Sequence, residues 1–244
     1  MDRVGSGGDV VGVAGDGRRV VGLLVRGAER LVFPVPADIT DAQALVLVRE
    51  GVIAWHLLRT CAHVRAGESV VVHGAADAVG LLAVQLARSF GAGQVVATAG
   101  TPEGRGWATA AGADAVVDSG AEGLRARLLS VNGGDPVDVV LSPVGGAVFR
   151  QSLEVLAPFG RLVGHGESFL ADSVGPIAGS RAVIGFRLGD CLARPEMVAG
   201  ALSELMGLTS AGRLRPPVDD EYPLSEAGSA AAGPLTRRAF DPRR

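Results

Sequence analysis

The chain of 244 residues predicts an α/β protein built on a doubly wound parallel sheet, with a strand-rich segment ahead of it. Three observations carry this. Apolar residues make up 48% but aromatics only 4%, so any core must be aliphatic. From Ser69 onward, short β-branched runs alternate with helical patterns, the order of a parallel sheet with crossover helices. The run SVVVHGAADAVGLLAVQLARSFG, at 69–91, reads as a buried strand, a thin turn and a helix.

Residues 1–37 are glycine-rich, with short strands expected at Val10–Val13, Val20–Val25 and Leu31–Val35. A helix follows from Ile39–Ala44, with Thr40 or Asp38 placed to cap it. The helical pattern Val46–Leu58 is broken by Gly51. Strands are then expected at Val70–His73, Val95–Thr98, Ala115–Val117, Val137–Leu141 and Leu162–Val163. Helices lie between them at Val79–Phe90, around Arg105–Ala111, at Gly123–Val131 and at Ala147–Leu156. Gly112 and Gly160 mark reversals near helix ends. Ala182–Leu188 is a further strand, and Glu196–Thr209 an amphipathic helix. The tail after Ala227 is small, basic and patternless; it is expected to be poorly ordered, with no returning strand.

The crossing after the first parallel strand holds the chemistry. Gly74, Ala75, Ala76, Ala78 and Gly80 keep the turn thin, and Val79, Leu82, Ala83, Leu86 and Ala87 recur at helical spacing. Such a crossing offers backbone N–H groups to a dinucleotide pyrophosphate. Asp77 sets a carboxylate where that anion would approach.

The run HGAADAVGLLAVQLARSFGA resembles the nucleotide-binding segment of the zinc-independent quinone oxidoreductases. These belong to the medium-chain dehydrogenase/reductase superfamily, together with polyketide enoyl reductase domains. The resemblance continues through VVATAGTPEG (95–104), AAGADAVVDS (110–119), VDVVLSPVGG (137–146), LEVLAPFGRLVGHG (153–166), IGFRLGDCLARPE (184–196) and LRPPVDDEYPLSEA (214–227). It implies a Rossmann-like domain over 46–200. Residues 1–45 become the small β-rich remnant of a second, substrate-binding domain that is truncated. Residues 201–244 become a C-terminal helix and return segment. A strand near 182–188 that pairs with its copy implies a homodimer.

The resemblance also implies an activity: metal-independent transfer of hydride from NADPH to an activated double bond or quinone, in polyketide or other secondary metabolism. The substrate would be a conjugated carbonyl, a quinone or a polyketide intermediate. Gly74, Ala75, Ala76, Asp77, Ala78, Val79 and Gly80 would meet the pyrophosphate. Thr98, Ala99, Gly100, Thr101 and Arg105 would meet the adenosine side. No acid occurs there until Glu103, which favours NADP over NAD. Val144, Gly164 and His165 would flank the nicotinamide. The family's two central glycines are here Asp77 and Ala78, so the site reads as degenerate. Candidate acid/base residues are His165, Glu167, His56 and Asp77; Glu167 stands where related enoyl reductases often carry a lysine. Trp55 and His56 face different directions on one helix, Trp55 read as core and His56 as cleft.

Two other classes remain open at this stage. One is a cofactor-free cyclase, isomerase or dehydratase using the same acid/base residues. The other is a non-catalytic dimeric partner. Composition narrows the field further. The formal net charge of −3 gives no electrostatic case for nucleic acid or a membrane surface. All 23 basic residues are arginine, so no lysine can clamp a phosphate or form a Schiff base. Cys61 and Cys191 have no neighbours at metal spacing, so no zinc site is expected. With no leader pattern and no apolar run of spanning length, the protein is read as soluble and cytoplasmic.

Overall fold

The computed structural model describes residues 3–4, 9–26, 29–166, 179–218, 222–223 and 240–241. The chain divides into two compact units: Met1–Ile53 with Leu188–Arg244, and Ala54–Arg187. These cut the chain at other points than the three segments expected from sequence.

In the first unit, β1 (Arg3–Val4), β2 (Val10–Val13), β3 (Arg19–Arg26) and β4 (Glu29–Pro34) form an antiparallel sheet. Val11, Val21 and Leu23 alternate onto one buried face. Asp9 is 2% exposed. It accepts from Arg49 Nε at 2.6 Å and Nη2 at 2.9 Å, and from the Leu24 amide at 2.7 Å. Its buried charge is thereby paired and hydrogen-bonded. Helix α1 (Asp41–Val46) is capped by Thr40 in a reciprocal box with Gln43.

Gly51 does not break the helix. From Asp41 to Cys61 the chain stays helical, with wider π-type turns at Leu47–Gly51 and Leu57–Cys61 around α2 (Val52–His56). Gly51 instead admits the helix Pro195–Ser210: a Cβ there would lie 3.2 Å from Leu205 Cδ1. A return strand, not expected from the patternless tail, is present as the two-residue strand Phe240–Asp241, whose Phe240 pairs with Val4 of β1. The rest of the tail expected to be disordered lies outside the described residues.

The second unit is a six-stranded, all-parallel sheet with helices between its strands. Strand β5 (Ser69–Val72) leads through α3 (Ala78–Ser89) to β6 (Gln94–Ala99), and through α4 (Pro102–Ala110) to β7 (Ala115–Asp118). Helix α5 (Leu124–Val131) then returns the chain to β8 (Val137–Ser142) on the other side of β5. Helix α6 (Gly146–Val155) follows, then β9 (Leu156–His165) and β10 (Ala182–Phe186) at the edge. The order is β10-β9-β8-β5-β6-β7, so winding reverses between β5 and β8. Ligands bind such sheets at this switch point, beyond the carboxyl ends of the strands. Ser69 pins the pair at its opposite end: its amide and hydroxyl both donate to Asp138 Oδ2 at 2.9 Å.

The core is aliphatic, as composition requires. Val71, Val96, Val140 and Leu162 of the sheet are fully buried with Leu124 and Leu128 of α5. Each such side chain contributes about 1.5–3 kcal/mol. Strand β9 is far longer than the two residues expected. Its first half, Leu156-Ala-Pro-Phe-Gly, reads as a turn, and Phe159 has φ 66° with 80% exposure. Gly160 is part of the strand rather than a reversal at the end of α6. A Cβ there would lie 2.9 Å from the Ala157 carbonyl oxygen and 3.1 Å from that of Asp138.

A largely buried ion pair fastens β9 to the segment before β5. Arg161 Nη1 and Nη2 meet Glu68 Oε1 and Oε2 at 2.8 and 2.6 Å, and Nη2 also donates to the His63 carbonyl at 3.1 Å. Burial alone would raise the Glu68 pKa, but these bonds and the Arg65 amide outweigh it and hold the carboxyl below its ordinary range. Arg161→Ala strands the carboxylate and is expected to cost about 3 kcal/mol, read from urea unfolding.

Candidate functional site

Strand β5 ends at the switch point, and the turn after it is unusually tight. Gly74 has φ 67°, and a Cβ there would lie 3.0 Å from Pro143 Cγ of the loop after β8. The Ala75 amide donates to the Thr98 carbonyl at 3.0 Å and the Asp77 amide to the Gly74 carbonyl at 3.1 Å. Gly80 sits against this turn. A Cβ there would lie 2.7 Å from Ala75 Cα and closer still to the Gly74 carbonyl oxygen. Only glycine lets α3 start so near the strand end.

Asp77 is the N-cap of α3, and its Oδ1 accepts the Gly80 amide at 2.7 Å. Asp, like Asn, is favoured at this position. The carboxylate thus answers one of the first-turn donors that would otherwise face an anion. The amides of Ala78 and Val79 have no acceptor one turn back within the helix.

On one side of the turn lies the end of β6. Thr98 is buried, and its hydroxyl meets His73 Nδ1 at 2.9 Å rather than the cleft. Ala99 is buried as well, and Gly100 is exposed. Thr101 caps α4 through the Gly104 amide at 3.1 Å. Arg105 Nη1 donates to the Ala99 carbonyl at 3.2 Å and to Asp118 Oδ2 at 3.0 Å. The arginine is therefore at the strand end but shared with an acid of β7. A Cβ on Gly104 would lie 2.8 Å from the Ala76 Cβ, so α4 closes this flank of the turn.

On the other side, the Ser142 hydroxyl donates to the Val144 carbonyl at 2.9 Å and accepts the Val144 amide at 3.2 Å. This clasp holds the Val144 side chain outward, 41% exposed. Gly164 pairs with Ser142, and His165 ends the adjacent strand opposite Phe186. His165 is partly buried, and burial lowers its pKa to about 4. It is neutral near pH 7, which suits orienting a carbonyl better than delivering a proton.

The other candidates fall elsewhere. Glu167 lies outside the described residues. His56 is 1% exposed, with Nδ1 at 2.7 Å from Thr60 Oγ1 and its ring stacked on Phe186 at 5.8 Å. Trp55 is the partly exposed member of the pair, the reverse of the expectation. Sequence reasoning also passed over Ser152 and Asp118. Each is a small or polar residue at an element end or on a helix, and only the fold shows what it meets.

His73 is buried between β5, β6 and α6, and desolvation lowers its pKa to about 4. The folded value lies below the unfolded one, so the unfolded chain takes up the proton first. Stability is full above about pH 6.5 and falls by about 3 kcal/mol as pH drops to about 4. Urea unfolding across that range is expected to show an acid-side loss about 3 kcal/mol smaller in His73→Gln than in the wild type, the part due to the likewise depressed His165 remaining.

Among the described residues, no three His, Cys, Asp or Glu side chains gather where they could hold a metal ion. Cys61 is partly exposed, Cys191 is buried, and both are free thiols. No helix among the described residues is long and apolar enough to cross a membrane.

The sequence model of a family described as zinc-binding dehydrogenase matches residues 78–206, more than half of the chain. The chain is 37% identical over 220 residues to the spectinabilin polyketide synthase system protein NorB of Streptomyces orinoci, covering 86% of this chain and 10% of that protein. It is 31% identical over 221 residues to a quinone oxidoreductase of Pseudomonas aeruginosa, covering 86% of this chain and 66% of that one. The chain thus spans about a tenth of the synthases it matches and two thirds of the oxidoreductase. Among solved structures, the quinone oxidoreductase of Thermus thermophilus, determined also with NADPH, superposes with a TM-score of 0.78 at 32% identity. That match covers 91% of this chain and 74% of the other.

Proposed function

Because the chain belongs to the zinc-binding dehydrogenase family of medium-chain dehydrogenases/reductases, we propose that it binds NADPH between Gly74 and Gly80 and reduces an activated double bond or a quinone. The observation that carries this reading is the crossing itself. A glycine at φ 67° and a second glycine against its carbonyl bring the start of α3 to the switch point of the parallel sheet. A Cβ at either glycine would push these segments apart; without one, the first amides of α3 stand at the strand end, where a pyrophosphate would be held.

Bound there, the dinucleotide supplies the hydride, and the protein supplies position. Ala76, Ala78 and Val79 line the pyrophosphate approach with backbone. Arg105, which donates to the Ala99 carbonyl and Asp118, would be the cation to meet a 2′-phosphate, beside the exposed Gly100. Val144 and Gly164 set the nicotinamide face, with neutral His165 donating a hydrogen bond to the substrate carbonyl. The residues described do not fit a zinc ion, and no step uses one. Asp77 keeps the affinity low by holding a negative charge at the mouth of the cradle. Small conjugated carbonyls, quinones or polyketide intermediates are the substrate class, and β10, the edge strand of the parallel sheet among the described residues, would pair with a second copy in a homodimer.

The test is consumption of NADPH with a quinone and with an α,β-unsaturated thioester. Faster turnover with NADPH than with NADH is expected. No turnover of either substrate, with no saturable binding at about millimolar NADPH, would overturn the reading.

A further inference from the structure

The buried polar cluster around His73 belongs to none of the steps above. His73 Nε2 is 2.9 Å from Ser152 Oγ on α6, and Nδ1 is 2.9 Å from Thr98 Oγ1 on β6. All three residues are buried. The Ser152 hydroxyl donates its proton to the Val148 carbonyl at 2.7 Å. Having spent that proton, it can only accept from the ring, so Nε2 carries the hydrogen. Nδ1 is then bare and accepts the Thr98 hydroxyl proton. Every donor and acceptor in the cluster has a single assignment.

The cluster touches each part of the cradle. His73 directly precedes Gly74, and its amide donates to the Leu141 carbonyl of β8 at 2.9 Å. The Thr98 carbonyl takes the Ala75 amide, so Thr98 holds the turn from one side and the ring from the other. Ser152 and Val148 belong to α6, whose first turn continues the loop through Val144.

We infer that His73, as the neutral Nε2–H tautomer, is a positioning residue that fixes the Gly74–Asp77 turn, the end of β6 and the start of α6 relative to one another. The ring is a hub with a defined hydrogen on one side and a defined lone pair on the other. Apolar packing at this point would hold distance but not orientation. Burial keeps the ring neutral through the physiological range. That the hub serves cofactor binding rests on the dinucleotide reading proposed above; that it orders the three segments does not.

The experiment uses the full chain in four forms: wild type, Thr98→Val, Ser152→Ala and Thr98→Ser. Imidazole ¹⁵N shifts of the wild type are expected to report Nε2–H for His73. Amide exchange of Ala75 and Phe149, read without ligand, is expected to speed up about tenfold in Thr98→Val and Ser152→Ala and to return to the wild-type rate in Thr98→Ser. NADPH affinity is expected to fall about tenfold in the first two variants and not in the third. An Nδ1–H tautomer, or unchanged exchange at both amides despite a lowered melting temperature, would overturn the inference. Faster exchange in a protein whose wild type binds no NADPH would keep the hub and remove the cofactor reading.

Discussion

Asp77→Gly is expected to tighten NADPH binding about ten- to a hundredfold. The carboxylate caps α3 through the Gly80 amide and faces the place where a pyrophosphate would lie. Two like charges about 5 Å apart at an effective dielectric near 20 repel by about 3 kcal/mol, which screening reduces. Removing the acid also frees the Gly80 amide for the ligand. The loss of the cap is small, because glycine in place of an N-cap acid costs only a few tenths of a kcal/mol. Asp77→Asn separates the two effects. Asparagine caps as well as aspartate but carries no charge, so it should recover most of the affinity at unchanged stability. Fluorescence titration of the three proteins checks this. Equal affinities would mean that the charge is not the obstacle.

Gly80→Ala is expected to have the largest structural effect. Its methyl group would meet backbone, the Ala75 Cα at 2.7 Å and the Gly74 carbonyl oxygen nearer still, and backbone cannot step aside as a side chain can. Overpacking of this kind costs about 2–3 kcal/mol. The helix must also back away from the turn, so NADPH binding should be lost even where the protein still folds. Gly106→Ala is the control. It lies in α4 with nothing within 4 Å of an added Cβ, and alanine there should stabilise by about 0.5–1 kcal/mol. Calorimetric melting of the two variants, with NADPH titration of each, reads both effects.

The parallel sheet was legible because its strands are nearly pure Val, Leu and Ala runs, and Val10–Val13 of the first unit matches residue for residue. Legibility failed where local chemistry conflicts with the outcome. Pro158, Phe159 and Gly160 look like a turn, yet they lie within β9, at the register shift between Leu156, which pairs with Val137, and Arg161, where pairing on both sides begins. Gly51 looks like a helix break because the approach of Leu205 cannot be seen in one segment. In the candidate site, the Gly74–Gly80 turn could be read because its glycines answer to local geometry. The engagement of Arg105 with Asp118 and of Thr98 with His73 could not, since those partners lie 13 and 25 residues apart. Glycine spacing is a local signal; side-chain pairing across strands is not.

Backbone amide shifts followed during NADPH addition test the cradle most directly. Saturable movement of Ala75, Ala76, Ala78 and Val79, larger in Asp77→Asn than in the wild type at equal ligand, is the result this account requires. Shifts confined to other surfaces, or none at all in Asp77→Asn at about millimolar NADPH, would contradict it.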